Sequence, residues 1–521
     1  MKRLIERLGK VVKGVLTGFD RIVFKGSIRP LSYEEGAVEF LGRRGVLNKD
    51  YKCWMMTQTE RLIESLDRYA RQHSGGGITH MKSWREDKEA LAKERQKANG
   101  TQKGLIGAWS FLESGRTYRA HYDAELGHPR LRHYQTPCKH VYLYFDHEEY
   151  GLMNLRIQTW FPYPIQICMN GRQWLRRSLE KRKIEFVSQG NKFFHVANYD
   201  LAQRLLDQQL DKRWPSLLNG QLPVAFPTLR EAVGPDLGYY WTLWQSEWAT
   251  DFILDSPATL DATMEALVRH AVLTDTSTRV LRYLGRPLTA AGKPHGALRN
   301  EVSTRVLDFY EGVRVRHWVD QNSVKIYNEQ NNLRSEVTVN HPGMFRVYRR
   351  AEGEACSAPK KLRPLRKGVA DIALRAKVCQ EINDRFLDGI AGFSDQTPLR
   401  QLLNEPTRPM VQGGRRVRGL DPTGKDRELL EAIADPAYCV SGITNSGLRQ
   451  RLRSTAWGAG RTDKQLSARL SRHLRLLRDH GLIRKVANRR RYHLTHAGSL
   501  LVTALNAMLG ASTQQLMKMV A

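Results

Sequence analysis

Three carboxylates are the side chains whose type and spacing first suggest chemistry in this sequence. Asp20 sits just ahead of a short apolar stretch, Ile22 to Phe24, and an acidic residue beside a buried strand can hold a catalytic metal. Glu247 and Asp251 are four apart in WQSEWATDF. Read as part of a helix running from Tyr239 to Leu284, they share a face, a spacing that suits metal binding or paired acid and base work. Each reading has a plain alternative: Asp20 as a turn residue or the partner of an arginine, Glu247 and Asp251 as an ordinary helix surface. The run Asp146, His147, Glu148 and Glu149 could take a divalent ion or form a solvated hairpin tip. Gly285 to Pro294 is not a phosphate loop, because six residues separate its glycines where four are needed and Pro294 replaces Ser or Thr.

The elements that must position these groups are of several kinds. Up to about residue 72 the chain reads as mainly helical around the short strand Ile22 to Phe24. From Leu105 to Leu210 aromatic and branched residues predict strands at Ala108 to Phe111, Tyr118 to His121, Val141 to Phe145, Leu152 to Trp160 and Ile165 to Met169. Asn170 and Gly171 then start a helix, and a hairpin turns around Gln189, Gly190 and Asn191. The aromatics Tyr142, Tyr144, Trp160, Phe161 and Tyr163 are either core or a platform on which the bases of a single strand stack, with Arg156, Arg172, Arg176 and Arg177 supplying charge. Further on, Val313 to Val319, Ser323 to Tyr327, Leu333 to Val339 and Met344 to Tyr348 predict an antiparallel meander.

Within that meander, VKIYNEQNNLRSEVTVN resembles the K-x-Y and L-R-x-E strand pair of rolling-circle and filamentous-phage replication initiators. The resemblance implies a DNA-nicking enzyme, with Lys325, Tyr327, Arg334 and Glu336 as the matching residues. It departs at one point: those enzymes hold a metal with two histidines flanking one hydrophobic residue, and no H-x-H occurs in this sequence.

Ser441 to Thr495 carries the most regular pattern. A first helix is predicted from about Ile443, then a tight connection at Trp457 to Gly460. Thr462 and Gln465 are spaced as a capping box, and Leu466, Leu470, Leu474 and Leu477 make the apolar stripe of a second helix, with Arg469, Arg472 and Arg475 off the stripe. A short hairpin follows, Ile483 to Val486 and Arg491 to Leu494, and Thr495 caps a last helix. The run LRDHGLIRKVANRRRYHLTHAG is similar to the end of MarR-type and ArsR-type winged-helix modules. That resemblance implies that the second helix enters a major groove, placing Arg469, Arg472 and Arg475 near bases and Arg489, Arg490 and Arg491 near phosphates, and Lys485 is a further nucleic-acid-binding candidate.

Charge agrees with such a partner. The 521 residues hold 83 Lys and Arg against 53 Asp and Glu, a formal charge of +30 and a pI near 10.0, and residues 426–521 alone hold 16 against 6. Two further basic runs, one containing Lys360 and Lys361 and one containing Arg415 and Arg416, read as tethers along phosphates or as solvated linkers. Six dispersed cysteines form no C-x-x-C pair and argue against a disulfide frame or a zinc site. No run reaches the length of a transmembrane helix, and no signal segment is evident, so a cytoplasmic protein is expected.

The expected architecture is α+β and multidomain: a mixed-sheet body with helical insertions, an antiparallel meander and a C-terminal winged helix-turn-helix. The regions are 1–104, mainly helical; 105–235, α+β; 236–310, helical; 311–350, the meander; 351–425, a basic linker with a helix; and 426–521, the winged helix. The expected partner is double-stranded DNA, with RNA or single-stranded DNA on the body, no membrane, and a homo-oligomer left open. Binding without catalysis stands first, a mobile-element replication or transposition nuclease second and a transcriptional regulator third. No cofactor is expected unless the chain is a nuclease, which would need a divalent metal.

Overall fold

A computed structural model describes residues 1–83, 85–98, 100, 103–221, 238–274, 280–281, 283–285, 302–309, 312–391, 398–434, 443–486 and 490–514. The architecture is α+β. Eleven strands form one mixed sheet: β1 (Val12–Ile28), β2 (Thr79–His80), β3 (Gly104–Asp123), β4 (His128–His147), β5 (Gly151–Gln158), β6 (Ile165–Asn170), β9 (Tyr239–Leu254), β10 (Ser303–Phe309), β11 (Gly312–Val319), β12 (Asn322–Glu329) and β13 (Asn332–Val339). Between β6 and β9 lies a separate hairpin, β7 (Phe186–Gln189) and β8 (Lys192–Val196). The sheet order is β10-β11-β12-β13-β9-β1-β6-β5-β4-β3-β2. The chain falls into two compact units, each drawn from distant segments. One comprises Lys13–Ile253 and Glu336–Gln380; the other comprises Met1–Val12, Leu254–Ser335 and Glu381–Ala521.

In the first unit β1 is 17 residues long, far beyond the Ile22 to Phe24 core expected. Its glycines obscured it in the sequence, and two of them mark places where other side chains lie on the strand. A Cβ at Gly14 would come within 2.3 Å of the Tyr199 ring, and one at Gly26 within 2.8 Å of Trp241. β3 and β4 each run 20 residues and pair without interruption from Leu112 to Asp123, joining segments expected as separate short strands.

The largest correction concerns β9. Residues from Tyr239 were expected to be helical, yet Tyr239–Leu254 is a strand, and a helix begins only at Pro257. Tryptophans at 241, 244 and 248 mimic a helical three-to-four spacing. The segment is nevertheless rich in aromatic and branched residues, and it lies between β13 and β1, so its second half is buried on both faces. Such a strand loses the alternation by which strands are recognised.

In the second unit β10, β11 and β12 pair antiparallel in succession. The meander is therefore extended at its start by β10. Its expected last strand is absent from it, because Arg346–Arg349 pairs instead with Lys361–Pro364 in a small sheet of the first unit. The basic run at Lys361 is thus strand and not tether. A core of leucines and isoleucines holds the C-terminal part, in which Leu466, Leu470, Leu474 and Leu477 of the helix Asp463–Asp479 are all buried.

Candidate functional site

Neighbouring strands of the first unit bring three carboxylates together. Asp20 comes from β1, Glu247 from β9 and Glu336 from β13, and one oxygen of each lies within 4.8 Å of the others. Asp20 is 1% exposed and Glu336 2%, whereas Glu247 is half-buried. Two amides hold Asp20. Asn170 Nδ2 donates to Oδ1 at 2.9 Å, and Asn191 Nδ2 donates to Oδ1 and Oδ2 at 2.8 and 2.6 Å. Asn170 ends β6 and caps the helix Gly171–Lys181, its Oδ1 accepting from the N–H groups of Arg172 and Gln173. Asn191 sits in the turn between β7 and β8.

Three carboxylates this close repel one another when ionised, and each loses hydration through burial. Oxygen ligands gathered in this way suit hard cations such as Mg²⁺ or Mn²⁺. A cavity of about 710 Å³ opens beside Glu247 and Asn191 and is lined with cations, among them Arg21, Lys93, Lys97 and Arg176. Of the three carboxylates Glu247 lines this cavity, together with Glu89 and Asp146.

Asp251 has a different place. It is fully buried and pairs at 3.1 Å with the fully buried Arg172, which also donates to the carbonyls of Leu16 and Ala249 at 3.3 and 2.7 Å. This pair ties the helix Gly171–Lys181 to β1 and β9. The strand keeps Glu247 and Asp251 on like-facing positions by its two-residue repeat, but only Glu247 joins the acidic group. Tyr327, on β12 of the second unit, is half-buried with Arg314 and Lys325 each 5.5 Å from its ring. Of the aromatics considered for stacking, Tyr144, Phe161 and Tyr163 are core residues, and the Tyr142 hydroxyl donates to Glu113.

The second unit carries a cationic groove. The capping box forms at the start of the helix Asp463–Asp479, with Thr462 accepting from Gln465 N and Gln465 accepting from Thr462 N. Beside this helix stands a hairpin, Met410–Gln412 and Arg415–Val417, turned by Gly413 and Gly414 at positive φ. Helix and hairpin line a groove of about 990 Å³ with Arg415, Arg416, Arg418, Arg461, Arg469 and Arg472. Arg415 is tied to Asp479. Arg469 folds back, its guanidinium 3.9 Å from the Trp457 ring and donating to the Trp457 carbonyl, while Arg472 and Arg475 are exposed. Lys485 and Arg490 are exposed on the strand pair Ile483–Lys485 and Tyr492–Leu494 and its turn, and Arg491 is half-buried. Arg489 lies outside the described residues. Lys360 and Lys361 are exposed in the first unit.

Arg418, which lines the groove, is held by the buried Asp426, which accepts from Arg418 Nη1 and Nη2 at 2.7 and 2.8 Å and from Asp421 N at 2.9 Å. Burial pushes this carboxyl up, but those hydrogen bonds and the charges of Arg418 and His473 outweigh it and hold the group below its ordinary value of 3.8. A depressed carboxyl stabilises the fold above its unfolded pKa, and that stability is lost as pH falls through the folded value. The thermal midpoint of this unit is expected to fall below about pH 4, and Arg418→Met to flatten that dependence. An unchanged slope in the variant would assign the acid sensitivity to other groups.

Two features of these sites have no counterpart in the sequence patterns. Asn170 and Asn191 are legible in the sequence only as turn and cap residues, and Arg461 joins the groove from outside both the stripe-bearing helix and the basic run that holds Arg415, Arg416 and Arg418. Searches against protein-family models, curated proteins and solved structures find no match.

Proposed function

We propose that this chain binds nucleic acid, reading duplex DNA with a C-terminal winged helix whose second helix is Asp463–Asp479. The cationic groove between that helix and the hairpin Met410–Val417 carries the proposal. Arg472 stands exposed on the helix for a base edge, Arg415 and Arg416 flank it for phosphates, and Lys485 on the following strand pair and Arg490 just before its second strand extend the contact. Arg469, stacked on Trp457, holds the helix start in place.

The test is a pair of charge reversals read across several duplex sequences. Arg472→Glu should weaken the preferred duplex by roughly 10- to 100-fold and reduce discrimination between sequences, whereas Arg490→Glu should weaken all duplexes alike. Equal loss for every sequence in both variants would remove base reading from the helix.

A second reading, a metal-dependent nuclease of the replication or transposition kind, is favoured by the convergence of Asp20, Glu247 and Glu336. On this reading the three carboxylates would hold a divalent ion, which would supply Lewis-acid polarisation of a phosphodiester, while Asn170 and Asn191 fix the orientation of Asp20 and the lining cations of the adjoining cavity would take the strand's charge.

A further inference from the structure

Trp244 is an aromatic side chain left in the open on the central strand β9. It is 42% exposed, and two ammonium groups face its ring, Lys25 Nζ at 4.9 Å and Lys367 Nζ at 4.6 Å from the centroid. The backbone fixes this arrangement from both sides. Thr242 Oγ1 donates to the Lys25 carbonyl at 3.1 Å, and Leu243 N donates to the Lys367 carbonyl at 2.7 Å. Among the described residues neither ammonium has a carboxylate within ion-pairing distance. Four residues back on the same strand the Arg29 guanidinium lies 4.1 Å from the Tyr240 ring, there with a carboxylate partner, Glu352, at 3.4 Å.

Burial and neighbouring cations already hold both lysines below their ordinary value. Half-buried like charges of this kind cost free energy that an arriving anion would recover. We propose that Trp244, Lys25 and Lys367 form a nucleotide subsite for a single strand, with a base stacked on the indole and the two ammonium groups on the flanking phosphates. Lysine stems are flexible, so an ammonium displaced from the ring by the base moves to phosphate and exchanges a cation–π contact for a charge pair. Tyr240 and Arg29 offer a following position about 13 Å along the strand. The proposal rests on the reading of the chain as a nucleic-acid-binding protein, but it assigns a site in the first unit, apart from the duplex groove.

The test uses the full chain and fluorescence anisotropy with labelled dT12, rU12 and a duplex. Trp244→Ala should weaken the single strands roughly ten-fold and Trp244→Phe less, with the duplex unaffected. Lys25→Gln with Lys367→Gln should lower the slope of log affinity against log salt by about 1.4 for a single strand. That slope change would not follow from a structural role and serves if Trp244→Ala fails to fold. Retention of wild-type affinity for dT12 and rU12 by Trp244→Ala, or an unchanged slope in the lysine variant, overturns the subsite. Wild-type binding to the duplex without binding to either oligomer overturns the subsite alone, and binding to none overturns the nucleic-acid reading as well. The tighter of dT12 and rU12 identifies the polymer.

Discussion

Asp251→Ala is expected to destabilise the first unit by about 3–5 kcal/mol, lowering its thermal midpoint on the order of 10 °C. Asp251 and Arg172 are both 0% exposed and 3.1 Å apart, so removing the carboxylate leaves a guanidinium charge in the core. Its remaining bonds to the Leu16 and Ala249 carbonyls do not neutralise it. Combining Asp251→Leu with Arg172→Met should recover most of the loss, because an apolar pair of similar volume replaces a desolvated ion pair. If the double variant is no more stable than Asp251→Ala, the charge left behind is not the cause. The comparison is made by thermal unfolding, and it separates Asp251 from Glu247, whose neutralisation is expected to act in the opposite direction.

Glu247→Gln, without added metal, is expected to raise the thermal midpoint, since it removes one of three carboxylates held within 4.8 Å of one another. Mn²⁺ should stabilise the wild-type chain in a concentration-dependent way and stabilise the Gln variant much less. On the nuclease reading, Mn²⁺- or Mg²⁺-dependent cleavage of single-stranded or supercoiled DNA should fall by more than about 100-fold in Asp20→Asn, Glu247→Gln and Glu336→Gln. Asn191→Ala, which frees the Asp20 carboxylate from an orienting amide, should cost about 10- to 100-fold. Chelation should stop cleavage, and duplex binding through the groove should survive in all four variants. Cleavage that persists in the three carboxylate variants would discard the nuclease reading, and no stabilisation by Mn²⁺ would discard the metal.

Local order in the C-terminal segment was written in neighbouring residues. The Thr462 and Gln465 cap, the buried stripe from Leu466 to Leu477 and the Thr495 cap of the last helix all occur where spacing placed them. A cap or an amphipathic stripe is decided within one or two turns, so the sequence carries the whole cause. The same holds for the hairpin at Gly190 and Asn191 and for the helix started by Asn170.

The acidic group is of the opposite kind. Asp20, Glu247 and Glu336 are separated by more than 300 residues from first to last, and nothing local to any of them marks the others as partners. Asp251 looked the equal of Glu247 in sequence, and a buried arginine from another element gave it a structural task instead. The strand that carries both was read as helix because central strands are apolar on both faces and tryptophan spacing imitated a helical stripe. By itself the sequence determined the composition, the charge, the absence of H-x-H and the elements whose causes lie within a few residues. Which carboxylates meet, which arginine is buried and which tryptophan stays exposed were decided by strand order and register, because these set distances between residues that the chain keeps far apart.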